Sequence, residues 1–284
     1  MPDAPLHILR PFGVWTLAFS CALAPTTVRA HGDVHEAIAA VAKQIEASPA
    51  DARLYLQRGG LHRAHQDWAA AGADYDKAAE LDPALAVVDL ARGEMLGEAG
   101  RTDAAKEALD RFLSRSPDHA AGYAARACVL AKGKAWQAAA EDFARAIAHA
   151  KEPEPALFIE RSRALRALEK VDEAIRALDE GIARLGPLIV LTHAALDLDA
   201  EAGHIDAALV RLGKIIDASP RKERWLVRRG ELLEKAGRTE SAREAFIAAQ
   251  SALAAIPADR RATAAMQDLA KSIDAALARI PPAK

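Results

Sequence analysis

Residues 54–83 read LYLQRGGLHRAHQDWAAAGADYDKAAELDP, from Leu54 to Pro83. The composition favours a helix, yet two adjacent glycines, Gly59 and Gly60, stand inside the first half, where each costs roughly 1 kcal/mol relative to alanine. A glycine in that place is accounted for if a neighbouring helix lies so close that no side chain fits. The small residue should then return wherever the same packing returns.

It does return. The column Ala37, Ala71, Ala105, Ala139, Ala174, Ala208, Ala242 advances by 34, 34, 34, 35, 34 and 34 residues. Four residues further along run Val41, Tyr75, Leu109, Phe143, Leu178, Leu212 and Phe246, a large apolar residue one helical turn after each small one. Upstream, Arg58, Arg92, Arg126, Arg161 and Arg229 form another column, interrupted by Ala195. Gly59, Gly93, Ala127, Ser162 and Gly230 follow them, with Leu196 as the exception. Pro49, Pro83, Pro117 and Pro220 punctuate the units, with Pro187 one residue out of frame. Each unit is two helices between prolines.

A period of 34 with several columns in phase resembles the tetratricopeptide repeat family, here as an exported protein of bacterial type. The resemblance implies an all-α fold: an α-solenoid of antiparallel helix pairs, with an N-terminal half repeat and a C-terminal capping helix. It places Gly59 at the close contact inside a pair and Gly60 on the inner groove. The expected division is residues 1–30 as a signal peptide, 31–51 as a half-repeat helix, 52–257 as six repeats, and 258–284 as capping helix and tail. Two departures are expected to disturb the stack: the extra residue within 151–155, and Leu196, whose bulk should widen its helix pair.

Residues 1–30 differ from the rest. A weakly basic start precedes the apolar run of 11, VWTLAFSCALA, and Val28-Arg29-Ala30 makes a small-residue exit before His31. The reading is a secretory signal cleaved after Ala30, hence a periplasmic or secreted protein. The apolar run is shorter than the about 20 residues of a membrane span, so none is expected in the mature chain. Lipidation at Cys21 stays open, although Phe19 fits that signal poorly. Loss of these residues removes Arg10, Arg29 and Asp3, which moves the formal charge from −2 to about −3. Such a balance argues against a general phosphate-binding surface, so nucleic acid is not expected as a partner. Cleavage leaves one cysteine, Cys128, and therefore no internal disulfide.

In the family the first helix of each pair lines the concave face. That implies a groove built by Leu56, Gly60 and Arg63, then Leu90, Ala91 and Glu94, then Ala124, Ala125 and Cys128, then Ile159 and Arg163, then His193 and Asp197, and finally Arg228. Its middle reads as small and apolar and its ends as charged, which suits a peptide or protein segment. Co-chaperone members grip a terminal carboxylate with lysine, asparagine and arginine. The matching positions here are Leu56, Gly60, Ala91, Ala121 and Ala125, and the chain has no asparagine. Within a pair, Arg58 and Asp74 stand 16 residues apart, as do Arg126 and Asp142, and are expected to meet across the two helices.

No G-x-S-x-G, phosphate-cradling glycine loop, C-x-x-C or H-E-x-x-H occurs, so no enzyme and no cofactor are expected. The alternative is a metal-handling protein. His31, His35, His62 and His65 could gather where the half-repeat helix meets its neighbour, a set suited to copper, zinc or nickel. No fixed ligand spacing supports it, and solvent-exposed histidines serve equally. The chain is read as a monomer. The carboxy end repeats apolar residues at Ala262, Met266, Leu269, Ile273, Ala276 and Ile280, which predicts one capping helix from about Asp259 to Arg279.

Overall fold

The computed structural model describes residues 28–280, and among them every regular element is a helix. Residues 1–27, including the apolar run and Cys21, and the proline pair at 281–282 lie outside the described residues. An opening helix, α1 (Val28–Ala47), is followed by six pairs: α2 (Ala52–Ala64) with α3 (Trp68–Leu81), α4 (Val87–Glu98) with α5 (Thr102–Arg115), α6 (Ala120–Lys132) with α7 (Trp136–His149), α8 (Pro155–Ala167) with α9 (Val171–Leu185), α10 (Ile189–Ala202) with α11 (Ile205–Ala218), and α12 (Glu223–Lys235) with α13 (Thr239–Ala254). Two further helices, α14 (Ala258–Arg261) and α15 (Ala264–Arg279), close the stack. The result is an α-solenoid. α1 starts at Val28 and so runs through Ala30, where cleavage is expected.

The two small-then-large columns make the hairpins. Ala71, Ala105, Ala139, Ala174, Ala208 and Ala242 are fully buried, and Tyr75, Leu109, Phe143, Leu178, Leu212 and Phe246 beside them are nearly so. A Cβ at Gly59 would stand 2.5 Å from Cε1 of Tyr75, and one at Gly230 would stand 2.7 Å from Cε1 of Phe246. Glycine is therefore required by the closeness of the paired helices. Leu196 is buried in one cluster with Leu212, and the backbones of α10 and α11 come close at fewer positions than those of the other pairs, in line with the expected widening.

The core falls into four apolar clusters along the stack, over the first two pairs, the next two pairs with α10, the α10–α11 pair, and the last pair with α15. Guanidinium groups join the pairs. Arg115 reaches the carbonyls of Pro83 and Ala84, and Arg184 those of Ile147 and Ala150, each satisfying carbonyls left open where the preceding second helix ends.

The carboxy end departs from the sequence expectation. Instead of one helix from Asp259 to Arg279, the chain turns at Ala262 and Thr263, and Ala262 is exposed rather than part of the apolar stripe. The Thr263 hydroxyl donates to the Arg260 carbonyl at 3.1 Å, a local bond that competes with helix continuation. The turn lays α15 back on α13. Met266, Ile273, Ala276 and Ile280 are buried there, Arg243 donates to the Ile280 carbonyl at 2.8 Å, and Arg279 pairs with Glu234 at 3.0 Å.

Candidate functional site

Successive first helices approach one another, α2 with α4, α4 with α6 and α8 with α10, whereas successive second helices stay further apart. The first helices therefore form the inner, concave wall. Down each of them, residues at steps of three or four share that wall.

Charges on the C-terminal halves of these helices are paired across repeats. Arg63 of α2 donates to Glu94 of α4 and lies 3.7 Å from Glu98. Lys132 of α6 donates to the Gly97 carbonyl of α4, and Lys235 of α12 to the Ala200 carbonyl of α10 at 2.9 Å. Arg166 meets Glu201 at 2.8 Å, Arg228 meets Asp197 at 3.6 Å, and Arg163 is held by Glu160 at 2.6 Å on its own helix. Burial holds the Glu98 carboxyl above its usual range despite Arg63, and it lowers Lys132 from the usual ammonium range.

The remaining predicted groove positions are apolar or small. Leu56, Ala91, Ala124, Ala125, Cys128, Ile159 and His193 are half-buried, Leu90 is buried, and a Cβ at Gly60 would meet nothing within 4 Å. Burial pushes the Cys128 thiol up to about 11, which keeps it protonated and unreactive near neutral pH. The edge of the His193 ring meets Trp225 with centroids 4.7 Å apart. The sequence reading divides the groove into an apolar middle and charged ends. In the structure most of the paired charges lie toward the C-terminal halves of the first helices, while Arg53 and Arg224 stand near the N-terminal ends of the first and last of them. The reading also passes over Val87, Ala156, Val190 and Arg224, which stand in the register of Arg53 and Ala121 at the other edge. The repeat period alone is enough to find them.

Four arginines of the column, Arg58, Arg92, Arg126 and Arg161, bind carboxylates of this chain. Arg58 holds Asp74 with two bonds, 2.9 and 2.6 Å, and Arg126 holds Asp142 with two of 2.6 and 2.9 Å. Arg126 also reaches back to Asp110 at 2.8 Å, and Arg92 reaches back to Asp76 at 2.7 Å, so one column links adjacent pairs. Where the column is broken by Ala195, the charges are exchanged. Arg211 takes the aspartate's place and binds Asp199 at 2.6 Å and Asp179 at 2.6 and 2.9 Å.

Of the four histidines, His35 and His65 meet with ring centroids 4.7 Å apart, while His62 lies 3.9 Å from both Asp67 and Asp74. Among the described residues no three histidine, cysteine, aspartate or glutamate side chains form a metal-holding group. The His31 side chain lies outside them.

A tetratricopeptide repeat model matches residues 27–86 and 90–155. Those two stretches are tetratricopeptide repeats. Among solved structures, a tetratricopeptide repeat protein from Parabacteroides merdae is 18% identical, with 86% of this chain and 94% of that one covered at a TM-score of 0.51. PilW, a type IV pilus biogenesis factor, is 17% identical over 66% and 87% of the two chains, TM-score 0.55. YrrB, described as having an unusual peptide-binding site, is 18% identical over 63% and 91%, TM-score 0.50. At these identities the likeness is one of fold. No curated protein sequence matches. Tetratricopeptide repeat proteins bind protein partners, and no helix among the described residues is long and apolar enough to cross a membrane.

Proposed function

We propose that this tetratricopeptide repeat protein is an exported, non-catalytic scaffold that holds a segment of another protein along its concave face. The export part rests on residues 1–30. The observation that carries the binding part is the state of the groove: most charges toward the C-terminal ends of its helices already satisfy one another, whereas Leu56, Ala91, Ala124, Ala125 and Ile159 are left half-open. Such a surface gains by covering apolar area and needs no new ion pair along its charged side.

The test is capture of partners from the native compartment by the mature chain, beside a variant carrying Ala91→Glu and Ala125→Glu. Both positions are half-buried beside the core of the first repeats, so a melting curve first checks that the variant folds, and the folded variant should lose at least about tenfold in captured partner. Equal capture by the two proteins would remove the groove from the function.

A further inference from the structure

The edge of the groove made by the N-terminal ends of the first helices carries a pattern of its own. In one register near the start of the first helices the six repeats present Arg53, Val87, Ala121, Ala156, Val190 and Arg224, all exposed except the half-buried Ala156. Val87 and Val190 are 39% and 54% exposed, large values for valine, and Ile189 beside the latter is 73% exposed. Four apolar residues are thus bounded by an arginine at each end.

The two bounding arginines differ from the others on the wall. Arg63, Arg163, Arg166 and Arg228 each hold a carboxylate of this chain, while the guanidinium groups of Arg53 and Arg224 have none among the described residues. At the α12 end the positive charge is larger. The chain just before Arg224 lines a cleft of about 350 Å³ with Pro220, Lys222, Ala252, Ile256 and Arg260. Neither the Lys222 nor the Arg260 side chain has a carboxylate partner among the described residues, whereas Arg221 is taken by Glu223 at 2.6 Å.

We infer that the groove's occupant is a peptide segment with an apolar centre and acidic flanks, lying across the first helices with its more acidic end at Lys222, Arg224 and Arg260. This deepens the groove reading above and rests on it. Helices packed roughly 10 Å apart put about 30 Å between the Val87 and Val190 positions. An extended strand covers that with about nine residues. Uncompensated cations at both ends favour carboxylates on the segment and fix its direction, and the valines and alanines between them favour apolar side chains.

The test is selection of random displayed peptides on the full mature chain, followed by binding of the enriched peptides in solution. Expected are peptides with an apolar core and aspartate or glutamate clustered at one end. They should bind Val87→Asp with Val190→Asp at least about tenfold more weakly. A second variant, Lys222→Glu with Arg224→Glu, should instead enrich peptides with lysine or arginine at that end. All four positions are exposed, so unchanged melting temperatures will show that both variants fold. Failure to enrich any peptide, or enrichment of peptides lacking acidic residues, overturns the inference. Peptides that bind the valine variant normally but are lost by Ala91→Glu with Ala125→Glu overturn it while leaving the groove reading intact. Insensitivity to both variants overturns both readings.

Discussion

A Cβ at Gly59 would press on Cε1 of Tyr75 at 2.5 Å and on the Ala71 carbonyl at 3.3 Å, whereas one at Gly60 would meet only open space. The same substitution at neighbouring positions should therefore act in opposite directions. Gly59→Ala is expected to destabilise by about 1–3 kcal/mol through overpacking against a fully buried ring. Gly60→Ala should stabilise by about 0.5–1 kcal/mol, since it only removes backbone freedom from the unfolded helix. Urea midpoints that move the same way for both would contradict this account. Tyr75 supplies a second case, because its hydroxyl is buried with no hydrogen-bond partner among the described residues. Tyr75→Phe should be neutral or stabilising by up to about 1 kcal/mol at pH 7, as it removes an unmet polar group. Burial also pushes the Tyr75 hydroxyl up to about 12. The folded state then keeps its proton after the unfolded state, with a value near 10, has lost it. Stability must fall as pH rises from about 10 to 12. The Tyr75→Phe chain should lose less stability over that range in denaturation series at stepped alkaline pH.

At the scale of the element, most helices could be read from their columns, since each is defined by spacing along one chain. Their ends and their partners were less accessible. The break at Ala262 and Thr263 turns on one hydroxyl bond to the Arg260 carbonyl, which apolar periodicity does not register. The sequence likewise pairs Arg58 with Asp74, 16 residues on. The backward bonds of Arg92 and Arg126, and the exchanged charges around Arg211, depend on how closely one hairpin approaches the next. α15 gives the test at this scale. It covers Phe246, Ala249 and Leu253, which share a cluster with its own Met266 and Ile273. Truncation after Pro257 exposes that cluster, and a lower melting temperature with aggregation is expected. An unchanged melt would show that α15 is not a cap.

Across the whole molecule, the period locates the concave wall and names most of its residues, but it cannot say which charges on the wall remain available to a partner. Arg63 and Arg53 look alike in sequence. One is bound to Glu94 and Glu98 of the next repeat, and the guanidinium of the other faces solvent with no carboxylate partner among the described residues. That difference exists only once successive first helices are side by side. The same stacking has a consequence for a chain that joins one body to another. Its core is four separate apolar clusters, each reaching only its neighbours, and the cluster of the α10–α11 pair is the smallest. No disulfide crosses the stack in the described chain, where Cys128 stands free. Pulled from its two ends, the molecule should lengthen in steps, like a spring whose coils open one after another, and yield first at the loosely paired α10 and α11.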